Sequence, residues 1–280
     1  MFLFHTIKDL GDYLHQQRKL GKSVGFVPTM GALHAGHTSL IEAAKKANDL
    51  TVCSIFVNPI QFNNPDDLAR YPRTLTADCA LLESAHCNAV FAPNAEEMYP
   101  EKTILKFDFG DLARAMEGQF RPGHFNGVAI VVSKLFHIVQ PDRAYFGQKD
   151  LQQVAVVRRM TLDLGFQIEL HSCPTLRQTD GLAMSSRNQN LTADERPAAA
   201  HIFKALNLAK QLLLAGQRPA EVKQAVVAYF ATIPAFRLEY FEIVNAHSLQ
   251  PATETPSQGE AALCVAAHLG KVRLIDNFVF

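Results

Sequence analysis

The sequence predicts an α/β protein, with a doubly wound parallel sheet first and a smaller α+β region after it. Three observations carry this. Apolar, β-branched runs at 23–27, 50–57, 143–146 and 167–173 alternate with stretches of helical spacing. The run at 50–57, LTVCSIFV, is almost continuously apolar, as a parallel strand covered on both faces should be. Near residue 175 the texture changes to a polar connection, then alanine-rich helices and turn-separated strands. The expectation is a Rossmann-like, doubly wound domain over 1–175 and a smaller C-terminal lid domain over 176–280.

In chain order, Ile7, Leu10 and Leu14 give a helix over 6–20, ended by Gly21. A first strand runs through 23–27 toward Pro28, and a crossover helix spans 38–48. After the strand at 50–57, NPIQFNNPDDLARYP reads as a long loop at a strand's carboxyl end, where open α/β sheets bind ligands. A helix at 74–86 and a short strand at 89–92 follow. Within the less regular 103–127, GQFRPGHFNG reads as a mobile surface loop. Next come an apolar helix at 127–139, a strand at 143–146, the turn GQKD, a helix at 151–164 and a strand at 167–173. The second domain has helices at 194–216 and 219–232 and strands at 237–244, 261–268 and 272–275, with TETPSQGE expected to be exposed.

Lys plus Arg and Asp plus Glu each total 27, with no long basic run, so nucleic acid is not an expected partner and a small-molecule substrate is. The opening MFLFHTIKDL meets His5, Lys8 and Asp9 too early for a signal peptide, and the apolar stretch at 128–139 is short and interrupted by Lys134 and His137. No membrane association is expected, and a cytoplasmic location is. Cys53, Cys79, Cys87, Cys173 and Cys264 are scattered without a C-x-x-C pair and read as reduced thiols.

Three loops concentrate the chemistry. FVPTMGALHAGHTSL reads as a strand, a small-residue loop and a helix start bearing His34 and His37. Gly31 and Gly36 admit close approach of a ligand, and a helix start offers free N–H groups to a triphosphate. In GQKD, Lys149 can neutralise phosphate oxygens while Asp150 caps a helix or accepts from a ribose hydroxyl. In Met184, Ser185, Ser186 and Arg187, two hydroxyls and a guanidinium can close over a polyphosphate. Each also has a plainer reading: capping or surface histidines, a simple helix cap, a solvated turn. Together they suit nucleotidyl transfer at an α-phosphate, where fixed donors and alignment matter more than acid–base chemistry. The chain has no G-x-x-x-x-G-K-[ST] loop, no G-x-G-x-x-G after its first strand and no G-x-S-x-G elbow, which argues against P-loop kinases, nicotinamide dehydrogenases and serine hydrolases.

PTMGALHAGH, SIFVNPIQF, DLARYPRT, RPGHFNGV, FGQKDLQQ, DGLAMSSRN and LGKVRLIDN occur in an order that resembles the pantothenate synthetase family along essentially the whole chain. The H-x-G-H element alone would place it only among nucleotidylyl transferases and class I aminoacyl-tRNA synthetases. The resemblance implies ATP-dependent joining of (R)-pantoate to β-alanine through a pantoyl adenylate, releasing AMP and pyrophosphate. It also implies Mg²⁺ and a cytosolic homodimer.

Carried onto this chain, the resemblance makes Met30, Gly31, Ala32, Leu33, His34, Ala35, Gly36 and His37 the first ATP-binding loop. His34, His37 and Lys149 are its catalytic candidates, with His37 in the family's proton-donor role. An imidazolium hydrogen-bonded to the transition-state charge is the physically simpler description of that role. Gly147, Gln148, Lys149 and Asp150 would hold the ribose and α-phosphate, Leu176 the adenine edge, and Met184, Ser185, Ser186 and Arg187 the triphosphate. Gln61 and Gln153 would bind pantoate, Gln61 would also touch β-alanine, and Asp78 is nominated for Mg²⁺ although Ala77 precedes it in place of a second acid. Gln148 stands where the family commonly has Glu, which keeps size and hydrogen bonding but removes a charge. The competing readings are a nucleotidylyl transferase acting on a phosphorylated alcohol, which would want a further cationic site, and a silent binding protein on the same scaffold, which would have lost a histidine or Lys149.

Overall fold

Short apolar strands covered by helices on both faces make the first sheet. They are β1 (Phe2–Phe4), β2 (Val24–Thr29), β3 (Leu50–Ile55), β4 (Ala89–Phe91), β5 (Arg143–Gly147) and β6 (Glu169–Cys173). In this computed structural model, which describes residues 1–252, 254 and 259–280, they pair in the order β1-β4-β3-β2-β5-β6, all parallel. On one face, Leu10 and Leu14 of the helix Ile7–Lys19 join Val128, Val132 and Phe136 of the helix His124–Val139 in a core with Phe26, Val52 and Ala144. On the other, Leu40, Ile41 and Ala44 of the helix Ala35–Ala47 and Leu82 of the helix Leu75–Ser84 pack on Val27, Cys53 and Val90. This is the doubly wound sheet that the sequence predicts. The strand order reverses between β2 and β5, so the carboxyl ends of those two strands, at Thr29 and Gly147, flank the crevice where such sheets bind ligands.

The chain divides into two units, Met1–Gly147 with Gln153–Pro174, and Gln148–Gln152 with Thr175–Phe280. The turn expected between β5 and its helix therefore groups with the C-terminal residues. The second unit contains an antiparallel sheet of β7 (Phe236–Asn245), β8 (Ala261–Leu269) and β9 (Val272–Val279), with β8 central. Being central, β8 (AALCVAAHL) is buried almost throughout, and its small residues let the helix His201–Leu214 pack closely, while Pro219–Ala231 packs against β7.

Several elements differ from the sequence reading. β1 is not among the predicted strands. NPIQFNNPDDLARYP is a 3₁₀ turn, Pro59–Gln61, and a short helix, Pro65–Arg70, in place of a long loop. GQFRPGHFNG ends one short helix, Glu117–Phe120, and begins the next at His124, with His124, Phe125 and Gly127 buried, so it is not a surface loop throughout. The helix expected at 194–216 is two, Glu195–Ala198 and His201–Leu214. Most of TETPSQGE lies outside the described residues.

Burial decides the cysteine chemistry. Cys53, Cys87 and Cys264 are buried, Cys79 and Cys173 half-buried, and none of the five is in a disulfide. Desolvation raises the Cys53 thiol well above its usual range and pushes Cys87 up to about 12. Titration of the native protein with a chromogenic disulfide at neutral pH is expected to label only Cys79 and Cys173, slowly because burial raises them too, and all five after unfolding. A third thiol reacting promptly in the native state would contradict this packing.

Candidate active site

The loop that leaves β2 is held in a conformation that its own sequence disfavours. Gly31 and Ala32 both have positive φ, 82° and 50°, which for alanine costs about 1–2 kcal/mol. Asp78, only 3% exposed on the helix Leu75–Ser84, compensates. Its Oδ2 accepts from the Ala32 N–H at 3.0 Å and its Oδ1 from the Leu33 N–H at 2.8 Å and the Thr74 hydroxyl at 3.2 Å. A Cβ on Gly31 would stand 3.0 Å from Asp78 Oδ2, so glycine is needed for closeness as well as for φ.

The helix Ala35–Ala47 then starts with a reciprocal cap made by the two histidines. Backbone N–H groups only donate, so His34 Nδ1 accepts from Gly36 N at 3.1 Å and His37 Nδ1 accepts from His34 N at 3.2 Å. The rings lie 4.1 Å apart between centroids, and both residues are half-buried. With each Nδ1 lone pair committed, the ring proton sits on Nε2. The pair thus carries its ring N–H groups at Nε2, on the edges away from the cap. The plainer reading of these residues as helix caps is therefore met by one edge of each ring.

Gln61 is 6% exposed at the end of the turn Pro59–Gln61, and its orientation can be derived. The Gly127 carbonyl can only accept, so the group of Asn58 facing it at 3.1 Å is Nδ2, whose other hydrogen goes to Gln61 Oε1 at 2.9 Å. The Tyr99 hydroxyl donates to Asn58 Oδ1 at 2.8 Å, and burial raises the Tyr99 phenol above its ordinary range, keeping it a donor. Gln61 therefore turns Nε2 toward Met30, 3.0 Å from its Sδ, and offers a donor to whatever lies there. His124 fixes the backbone: Arg121 donates to its Nε2 at 3.1 Å, so Nδ1–H donates to the Gln61 carbonyl at 3.0 Å. Asn58, Tyr99 and His124 have no role in the sequence reading, although VNPIQF and RPGHFNGV contain two of them. Gln153 sits half-buried in the first turn of the helix Leu151–Asp163. Beside Met30 and Gly31 opens a cleft of about 340 Å³, lined also by Phe56, Arg73, Asp78 and Asn94.

In the second unit, Gln148–Asp150 forms a 3₁₀ turn in which Lys149 Nζ lies 3.5 Å from Asp150 Oδ1 and its side chain is 16% exposed. Residues 176–184 fold back on themselves. Met184 N donates to the Leu176 carbonyl at 2.9 Å, and Arg177 bridges to Ala183. Ser185 caps the turn Ser186–Asn190 by accepting from the Arg187 N–H at 3.3 Å, which leaves Ser186 buried.

The Mg²⁺ nomination of Asp78 does not fit. Its carboxylate is buried and already accepts three hydrogen bonds from the loop and Thr74. Among the described residues no group of three or more His, Cys, Asp or Glu is placed to hold a metal ion. No helix there is long and apolar enough to cross a membrane.

Residues 2–279 match the Pantoate-beta-alanine ligase family. The chain is 48% identical to pantothenate synthetase of Bacteroides thetaiotaomicron, covering 100% of this chain and 99% of the relative, and 50% identical to that of Phocaeicola vulgatus with the same coverage. Its fold is similar to the crystal structure of pantothenate synthetase from Thermus thermophilus, with a TM-score of 0.93 and 44% identity over 100% of this chain and 99% of that one. It is also similar to pantoate-beta-alanine ligase from Francisella tularensis complexed with beta-gamma ATP and beta-alanine, with a TM-score of 0.82 and 36% identity over 100% and 97%. A family match over the whole chain, around a Rossmann-order sheet whose β2 ends in paired imidazole donors, has one meaning: the chain belongs to the pantoate–β-alanine ligase family.

Proposed function

We propose that the chain joins pantoate to β-alanine at the expense of ATP, through a pantoyl adenylate. In the first step a pantoate carboxylate oxygen attacks the α-phosphorus, and the bond to the bridging oxygen of pyrophosphate breaks. In the second, the β-alanine amine attacks the adenylate's carbonyl carbon, AMP leaves with the bonding pair of the C–O bond, and the amine loses its proton. The observation that carries this reading is the imidazole pair whose Nδ1 atoms are tied to backbone N–H groups. Two fixed Nε2–H donors suit charge that builds on phosphate oxygens, and each such donor is worth roughly 3 kcal/mol in the transition state.

In this reading Met30, Gly31, Ala32, Leu33, Ala35 and Gly36 shape the nucleotide loop, and Lys149, Asp150, Leu176, Ser185, Ser186 and Arg187 meet the nucleotide. Gln61 and Gln153 hold pantoate, with Gln61 Nε2–H aimed at an oxygen acceptor. Gln148 places a neutral amide where the family commonly carries a charge. Mg²⁺ enters as the ion carried by the nucleotide, and no step is assigned to it. The enzyme acts as a cytoplasmic homodimer, and sedimentation equilibrium would test the dimer.

Pyrophosphate release from Mg·ATP, measured with pantoate alone and then with β-alanine added, tests the whole scheme. A burst of one pyrophosphate per site, becoming continuous on adding β-alanine, is expected. Release that ignores pantoate would refute the ligase reading.

A further inference from the structure

We infer that Asn277 of β9, backed by the pair of half-buried Arg177 with buried Asp276, is a positioning residue that sets where the Lys149 turn stands. This rests on the reading that Lys149 meets the nucleotide. A three-residue 3₁₀ turn such as Gln148–Asp150 makes few hydrogen bonds of its own and needs an external template. Asn277, 4% exposed, supplies one: its Nδ2 donates to the Gln148 carbonyl at 2.9 Å and to the Lys149 carbonyl at 2.8 Å. Both partners can only accept, so the amide has one orientation and spends both hydrogens on consecutive residues of the turn. Its Oδ1 is buried without a hydrogen-bond partner among the described residues, so the contact is maintained despite an unsatisfied acceptor.

Asn277 is itself held from behind. Its N–H donates to Asp276 Oδ1 at 2.8 Å, and its carbonyl accepts from the Arg177 guanidinium at 3.1 Å. Arg177 grips Asp276 with both terminal nitrogens, at 2.5 and 3.0 Å, donates to the Gly181 carbonyl at 3.0 Å, and lies over the Phe203 ring at 4.4 Å. Arg177 also bridges to Ala183, whose carbonyl accepts from Asn188 Nδ2 at 3.0 Å, in the turn that bears Arg187. One strand thereby registers the Lys149 turn and the Ser186–Asn190 turn against each other. An ion pair withdrawn this far from water adds little net stability compared with apolar residues of the same volume, whereas fixing a geometry is a use that such residues would not serve.

Asn277→Asp keeps the side chain's shape but turns an acceptor on two carbonyls, and Asn277→Ala removes the contact without adding charge. Steady-state kinetics on both, alone and combined with Lys149→Ala, tests the inference. Each single variant is expected to raise KM for ATP about tenfold or more while KM for pantoate stays within about twofold, as a misplaced cation should. In the Lys149→Ala background the same changes should add less than about twofold, because the group they position is gone. Fully additive losses, or equal rises in KM for every substrate, would make Asn277 a general stability residue and overturn the inference. If Lys149→Ala alone leaves KM for ATP unchanged, the reading of Lys149 fails and the inference falls with it. If Lys149→Ala raises it but neither Asn277 variant does, only the inference fails. Should the aspartate variant not fold, the alanine variant decides.

Discussion

Asp78→Ala is expected to destabilise the protein by about 3 kcal/mol and to lower ligation by roughly a hundredfold, with no rescue by added Mg²⁺. The stability term comes from two backbone N–H groups, of Ala32 and Leu33, which lose a buried charged acceptor. Each unsatisfied buried N–H costs about 1–3 kcal/mol, and relaxation of Ala32 out of its left-handed conformation returns only part of that. For a chain of this size the unfolding midpoint should fall by roughly 5 °C. The catalytic term comes from the same motion, because the residues released lie just before the His34 and His37 cap, and an error of about 1 Å in placing donors costs about a hundredfold. Asp78→Asn should be nearly as damaging, since one end of the amide would set an N–H donor against a backbone N–H. Mg²⁺ dependence separates this from a metal-ligand role. A ligand's loss would raise the Mg²⁺ requirement, and activity restored by titrating the ion would defeat the anchoring account.

This case also shows where the sequence is readable. β3 was legible because a run covered on both faces has no polar phase, and the His34 and His37 pair because its spacing is local. The short helix Pro65–Arg70 was legible in principle: Asn64 caps it by accepting from Asp66 N, Pro65 opens it, and Asp66 and Asp67 fill its first turn. Reading NNPDD as a loop misses that signature. β1 offers only three residues, with Phe2 and Leu3 exposed, and exists by pairing with β4, far away in the chain. The role of Asp78 is similar in kind, since its partners lie 46 and 45 residues away and no local pattern records them. Residues that touch substrate tend to sit in short motifs. Those that hold them in place come from wherever the fold brings a side chain.

Gly127 illustrates the same point with the opposite sign, and Gly127→Ala is expected to cost about 2 kcal/mol and to raise KM for pantoate more than about tenfold. Read locally, alanine should be better, because glycine inside a helix costs about 1 kcal/mol relative to alanine. The local pattern also starts this helix at 127, whereas it begins at His124 with Gly127 in its first turns. A Cβ there would lie 2.4 Å from the Ile60 carbonyl oxygen, 2.6 Å from Gln61 Cα and 2.7 Å from Gln61 N. These are backbone atoms and cannot swing aside. Nor can the helix back away, because Val128, Ala129, Val132 and Phe136 are buried in the core. The turn must yield, and overpacking of about 1–3 kcal/mol exceeds the propensity gain once the Asn58 bond to the Gly127 carbonyl is also strained. Gln61 moves with the turn, so pantoate binding should suffer more than ATP binding. Kinetics with each substrate varied, beside thermal unfolding, would check both parts. A stabilised variant with unchanged KM for pantoate would mean that the close packing of helix on turn does not set the position of Gln61.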